Sequence, residues 1–596
     1  MDEGTFDVIV IGTGLSESIS AAALSKAGFK VAHLDKNPYY GAEEASLFLD
    51  EFVQWTKDSP DGCFAFSRSG NESLPQSRQY SISLSPSVIA STGPLISSLI
   101  SSGVSRYGGF RLLDQFGIYD SSGTVSRVPG NKEDIFKNKN ISLVDKRRLM
   151  RFLTFAAGDF EEAKELKDNE RAPFVDFLRR TFSLNDDIVS TITYALSHCL
   201  SASDTTLPAL QRLRRYLRSA GRYGSSPFLF GHYGSSGEIA QGFCRTSAVA
   251  GGVYILGKPI SSITSTPQLD DDPNHRNYTI HLDDFPDPLT CDIIISSEKH
   301  VPNDLVEHVK RVSTKSGTEA VVSSYPSVAR CVAIIDRPIS FLPSQNSQEG
   351  DSLEEDVDAA EEDDDYSPEA EPSASKAKPT QAPVDAGILV FPPSSLSGGS
   401  ATTFSVTAFI VGDSTMSTPK DKWIIYISTP VAQDNTFSPE EILRPYLDAV
   451  LALALPIDPS DSAPTPLTPL FTTFYLQACP TSPSVPPSTS STSVGQSSHI
   501  ISSDSTTSTT RTYLIPPSLP LLPLPESPDA AALGAESVFW EAVNVLKRLR
   551  GLRQAKSELG VDKTDREETQ AQEQREGEIQ IESFWPPLNQ NDDEEL

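Results

Sequence analysis

Apolar residues run unbroken through Val8-Ile9-Val10-Ile11, stop at Gly12-Thr13-Gly14, and return at helical spacing from about Ser16 to Ala27. A short continuous apolar run closed by glycine predicts a buried strand, and the wider spacing after it predicts a helix. Lys30-Val-Ala-His-Leu-Asp35 predicts a second strand that ends in an acid. Strand-like and helix-like pieces alternate to about residue 130. Within that stretch, residues 58–79 read as a Ser/Gly-rich loop, and 105–113 with 116–119 read as paired strands.

The period then changes. Leu149, Phe152, Leu153 and Phe155 recur at helical spacing with bases on the other side, and Ser142 stands where an N-cap belongs. Residues 173–178, 187–196 and 208–217 continue the pattern, so 131–222 is expected to be an all-helical domain inserted in the larger one. Glycine-rich, strand-forming sequence returns over 221–260, including Gly237 to Ala248, and further short strands extend to Ile335. The expected division is a large α/β domain in three parts (1–130, 223–341 and 384–479) around the helical domain. It is interrupted by an acidic insert at 342–383 and a Ser/Thr/Pro-rich segment at 480–533, and ends in a helix and charged tail at 534–596. Both inserts carry too little apolar surface to offset the entropy of ordering them and are expected to be disordered.

Charge narrows the choice of partner. The chain carries 80 Asp plus Glu against 49 Lys plus Arg, a formal net charge of −31, which repels polyphosphate and argues against nucleic acid. Its six cysteines are scattered without a CxxC pair or a Cys/His cluster, so no metal centre or disulfide framework is expected. Reduced thiols and an acidic N-terminus without a signal peptide suit the cytosol. The longest apolar run, Ala449 to Ile457, is too short to span a bilayer, so membrane contact is expected to be transient and indirect.

The candidate chemistry starts at Gly12-Thr-Gly14-Leu-Ser-Glu17. Strand, glycine turn, helix and a second strand ending at Asp35 make a Rossmann-type dinucleotide unit, with glycines for the pyrophosphate and the acid for the ribose. The sixth position of the fingerprint should be small, yet here it is Glu17. A carboxylate in the first helical turn opposes a phosphate by about 4 kcal/mol at 4 Å and intermediate dielectric. The unit is therefore read as a degenerate turn that holds no cofactor. His33 and His198 read as core or surface histidines, and no Ser/His/Asp set or carboxylate pair suggests catalysis.

Read on through Asn37-Pro-Tyr-Tyr40-Gly41, the N-terminal run from Asp7 to Ser46 resembles the superfamily of Rab escort proteins and Rab GDP-dissociation inhibitors. Ser105-Arg-Tyr107 with Arg111, and Arg127-Val-Pro129, are similar to its second conserved region. Residues 222–230, Gly237-Glu238, Gln241-Gly-Phe-Cys-Arg245 and Gly251-Gly-Val-Tyr254 are similar to its third. The resemblance implies a flavoprotein-like α/β domain without flavin, carrying a helical domain that shelters geranylgeranyl chains. It implies GDP-bound Rab GTPases as partners, with Tyr40, Glu238 and Arg245 on the Rab-binding platform, Val253 and Ile255 on the adjoining strand, and Arg106 and Tyr107 nearby. The chain's length, its inserts and Phe228-Leu-Phe230 favour an escort protein. That role implies a non-catalytic accessory subunit of the Rab geranylgeranyltransferase α/β heterodimer, facing it through a helix bearing Arg147, Arg151, Phe152 and Phe155. The alternatives are a pure dissociation inhibitor and, from another class, an FAD-dependent oxidoreductase.

Overall fold

A computed structural model describes residues 4–128, 141–266, 275–314, 325–341, 383–396, 402–456, 466–480, 511–560 and 581–587, with side chains of the long C-terminal helix to residue 551. The acidic insert up to 382, the Ser/Thr/Pro stretch over 481–510 and most of the charged tail lie outside the described residues.

The opening apolar run forms strand β1, Thr5–Ile11, buried on both faces. Such a strand belongs in the middle of a parallel sheet, where helices or further chain cover both sides. It pairs in parallel with β2, Val31–Asp35, at Val8↔Val31 to Ile11↔Leu34, and on its other side with the strand Leu289–Ser296. The sheet runs Val253–Leu256, β2, β1, Leu289–Ser296, Tyr278–Leu282, Ile260–Ser265. Val8, Val10, Ile293 and Leu514 pack with helix α1, Leu15–Lys26, and the C-terminal helix Glu526–Gly560. Ile9, Ile11 and Ile294 pack with Tyr278, Ile280 and Tyr513 on the opposite face.

A second, mostly antiparallel sheet runs Cys63–Gly70, Phe471–Ala478, Ser327–Ile335, Trp423–Val431, Val406–Val411, Ala386–Phe391, Gln115–Tyr119, Val125–Arg127. Several expectations change here. The loop expected over 58–79 contains the edge strand Cys63–Gly70, held by Phe471–Ala478. Serine and glycine lower intrinsic strand preference, but a partner strand overrides it. Phe110–Leu112 does not pair with Gln115–Tyr119; it joins Phe228–Gly231, while Gln115–Tyr119 joins Ala386–Phe391. The segment assigned to disorder over 480–533 holds a buried strand, Tyr513–Ile515, parallel to both Leu289–Ser296 and Val309–Arg311. Three apolar residues among prolines are too few to show a period. The last helix begins at Glu526 rather than near residue 535.

The helical stretch comprises Leu143–Ala157, Phe174–Phe182, Asp186–Ser190, a π-helical turn Thr191–Leu196, and Thr206–Ser219. Ser142 caps the first, its Oγ accepting from the Asp145 backbone N–H at 3.1 Å. Phe152, Phe155, Phe177 and Phe182 form an aromatic knot with ring centroids 5.0–6.2 Å apart. This core continues into the second sheet, where Ile192 and Leu213 share a cluster with Phe116 and Ile388.

The glycine-rich stretch read as strand is instead a helix, Ser236–Val249. Its Gly237 serves a close approach, because a Cβ there would lie 2.6 Å from the Ser46 backbone nitrogen. No helix among the described residues is long and apolar enough to cross a membrane.

Candidate functional site

The glycine turn after β1 is filled by the protein's own groups. Gly12 takes φ +93°, which lets the chain leave the strand sharply. Asp35, the expected ribose acid, accepts on Oδ2 from the Thr13 backbone N–H at 2.8 Å and from the Thr13 hydroxyl at 2.7 Å. Its Oδ1 accepts from the Asn37 N–H at 2.8 Å. At the N-terminus of α1, where a diphosphate would sit, the Leu15 N–H donates to Glu44 Oε2 at 3.1 Å. A Cβ on Gly14 would meet Glu17 Oε2 at 2.7 Å and Glu44 Oε2 at 3.1 Å, so two carboxylates converge on one point. Burial, opposed by a backbone hydrogen bond and reinforced by Glu43, pushes the Glu17 carboxyl up to about 7. Burial, with Glu43 and Glu17 adding to it, pushes Glu44 up to about 8. Lys299 pairs with Glu43 beside them. These residues do not fit a dinucleotide: its diphosphate would displace one carboxylate and face the other, and Asp35 is already engaged.

His33, one strand in, is a core histidine. Its Nε2 lies 2.5 Å from the Gly12 carbonyl and its Nδ1 lies 3.2 Å from the Tyr254 hydroxyl, while burial lowers its pKa to about 4. His198 is also buried, between Phe116 and Phe228, and burial lowers its pKa to about 3.

The turn passes its order outward. Thr13 accepts from the Gly41 N–H through both its hydroxyl at 3.0 Å and its carbonyl at 3.2 Å, which fixes the bend carrying Tyr40. Tyr40 follows β2 in this bend. Its ring lies 6.1 Å from Tyr254, on the edge strand between exposed Val253 and partly buried Ile255. Gly41 abuts the N-terminal turn of the helix Ser236–Val249, 3.1 Å separating its Cβ position from the Gly237 Cα. Glu238 and Arg245 stand two turns apart on that helix and so share a face, rather than lying on a strand as expected. The Arg245 guanidinium lies 4.6 Å over the Tyr107 ring. Tyr107, Glu238, Val104 and His232 line a cavity of about 30 Å³, and burial raises the Glu238 pKa. Arg106 is exposed on the same 3₁₀ turn as Val104. Tyr107, Glu238 and Arg245 are thus brought together, and Tyr40 joins Val253 and Ile255 through Tyr254.

With this geometry in hand, a family model described as GDP dissociation inhibitor matches residues 1–350, more than half of the 596-residue chain. The chain belongs to the GDP dissociation inhibitor family. It is 34% identical over 271 residues to "Rab proteins geranylgeranyltransferase component A" of Saccharomyces cerevisiae, covering 44% of this chain and 45% of that one. It is 35% identical over 286 residues to the protein of the same description from Drosophila melanogaster, covering 43% and 54%. The chain spans about half the length of the curated relatives it matches. A Rab GDI crystal structure from Plasmodium falciparum shares its fold, with a TM-score of 0.55 at 19% identity over 90% of this chain and 98% of that one.

In this GDP dissociation inhibitor family member, the helix Leu143–Ala157 divides its four candidate residues. Arg147 and Arg151 are exposed, and Arg151 lies 5.4 Å over the Phe182 ring and 3.9 Å from Glu165. Phe155 is partly buried, and Phe152 is wholly buried. Full burial removes Phe152 from any contact on the exterior.

Four residues of the site were given no role by the sequence reading: Thr13 and Tyr254, which lay inside motifs it singled out, and Glu44 and Lys299. Glu44 carried a usable signal, because a buried helix N-terminus capped by glycine alone must find an acceptor, and the acids after Gly41 are candidates for it. Lys299 carried none, since only the tertiary fold brings it beside Glu43.

Proposed function

We propose that this chain is a Rab escort protein. It binds GDP-loaded Rab GTPases on the face built by Tyr40, Tyr107, Glu238, Arg245 and Val253, and presents them to the α/β heterodimer of Rab geranylgeranyltransferase. It then carries the prenylated GTPase to a membrane, touching the bilayer only transiently, and works from the cytosol. The observation that carries the reading is Arg245 stacked on Tyr107 with half-buried Glu238 two turns away, beside relatives named as component A of that transferase. Tyr and Arg dominate interface hot spots, and a planar guanidinium can clamp a partner's carboxylate through two hydrogen bonds. A half-buried glutamate whose charge is already disfavoured gains from meeting a partner's cation or donor.

Nothing in this set calls for bond making, so the chain serves as an accessory subunit while the transferase performs the chemistry. A geranylgeranyl chain needs only an apolar groove, at about 0.8 kcal/mol per buried methylene. The helical stretch with its aromatic knot is the place for it, and Arg147, Arg151 and Phe155 stand at the outer side for the transferase. The test is reconstitution of prenylation from Rab, the heterodimer and geranylgeranyl diphosphate. Product should form only when this chain is added. Equal product without it overturns the reading, and extraction of prenylated Rab from membranes without support of the transferase would mark a pure dissociation inhibitor.

A further inference from the structure

Beyond the C-terminal helix, the short segment Ile581-Glu-Ser-Phe-Trp-Pro-Pro587 returns to the body of the protein. Its contacts are concentrated in two aromatic rings. Trp585 stacks on Phe243 of the helix Ser236–Val249, with centroids 5.8 Å apart and planes at 22°. Phe584 meets Phe539 of the C-terminal helix edge-on at 5.2 Å and its neighbour Trp585 at 4.8 Å. Phe243, Trp585, Phe584 and Phe539 therefore form a continuous ladder of rings that ties the two helices together.

We propose that the groove between these two helices is a peptide-recognition site for an aromatic–proline motif, and that Phe584-Trp585-Pro586-Pro587 is its ligand, carried on the same chain and able to leave it. Two rings inserted in a groove, followed by two prolines, are the elements of short-motif recognition. The rings supply area at small entropic cost, and the prolines pre-set the extended backbone. The fit is incomplete, because the Trp585 indole Nε1–H is buried without a hydrogen-bond partner among the described residues. A buried donor left unsatisfied weakens the docked state relative to one in water, which suits a contact made to open. The pairing recorded within the motif is the Ser583 hydroxyl donating to the Trp585 carbonyl at 2.7 Å, so the segment holds its own turn as it docks. Phe243 stands on the helix that also bears Glu238 and Arg245, so occupancy of the groove bears on the candidate partner face.

The experiment uses the full chain with Phe584→Ala and Trp585→Ala, and a fluorescein-labelled peptide of residues 580–590 as probe. The emptied groove should bind the peptide saturably, and the unaltered chain at least about tenfold more weakly, because a tethered ligand competes at millimolar effective concentration. Adding Phe243→Ala to the double variant should abolish binding. No saturable binding to the double variant, or equal binding to both chains, overturns the proposal. Should the double variant fail to fold, Trp585→Ala alone carries the same titration with the same two outcomes. No GTPase enters this measurement, so it stands or falls apart from the escort reading.

Discussion

Replacing Glu17 by glutamine keeps the side chain's shape and removes its charge, and the consequence depends on pH in a defined direction. Glu17 is 9% exposed, and its carboxyl titrates at about 7 instead of the ordinary 4.5. A carboxyl whose pKa is raised by folding keeps its proton in the native state at pH values where the unfolded chain has released it. Native stability therefore falls as pH rises from the unfolded pKa to the folded one, and levels off above it. The shift of roughly 2.5 units corresponds to about 3 kcal/mol, an upper bound because Glu44 shares the site. Urea unfolding of the native chain and of Glu17→Gln should give coincident midpoints near pH 4.5. The variant should pull ahead through pH 5 to 7 and hold a gain of up to about 3 kcal/mol at pH 8.5. Glu44 should move back toward the ordinary carboxylate range, because the Glu17 charge is one of the influences holding it up. Stability curves that stay parallel across this window, or a variant weaker at pH 8.5, would refute the buried carboxylate pair.

Other changes test the remaining claims. Arg245→Ala removes both the ring contact with Tyr107 and the clamp, and should weaken GDP-bound Rab by about 2 kcal/mol, roughly thirtyfold, in a titration; unchanged affinity would take Arg245 off the platform. Phe152→Ala empties the centre of the aromatic knot and should cost about 3–5 kcal/mol in unfolding free energy. FAD titrated into the purified chain should show no saturable change in flavin absorbance, since Glu44 and Asp35 hold the positions its diphosphate and ribose require.

The sequence disclosed the elements whose pattern is local. The run Val8 to Ile11, the glycine turn, α1, β2 and the Ser142 cap all stand where periodicity and turn chemistry put them, within a residue or two. It failed where tertiary contact overrules local preference. Cys63–Gly70 is a strand because Phe471–Ala478 lies beside it, and Tyr513–Ile515 because two parallel strands leave a place between them. The stretch with Gly237 and Gly242 suggested a strand, yet both lie in a helix that must approach neighbouring chain closely: a Cβ on Gly242 would meet Val104 at 2.8 Å. The candidate site was legible in its residue types and not in its supports. Tyr40, Glu238 and Arg245 could be picked out by resemblance, whereas Tyr254 and Lys299 act through neighbours far away in the chain.

The glycine turn and the proposed partner face are one electrostatic construction. In a dinucleotide site the positive N-terminus of the first helix holds a phosphate. Here the Leu15 N–H holds Glu44, an acid on the 3₁₀ turn Ala42–Glu44 that follows Tyr40. The loop is pinned at a second point as well, where Asp35 fixes Thr13 and Thr13 receives the Gly41 N–H. Tyr40 stands immediately before both attachments, so its place is set by the interactions that would otherwise fix a cofactor. Glu17 then has a cost and a use. Its charge is one of the influences that hold the Glu44 carboxyl up, and Lys299 on Glu43 offsets part of the charge around them. A carboxyl group delivered by the chain needs no ligand in solution to hold the loop, and a loop held this way keeps its tyrosine in place whether or not a partner is present.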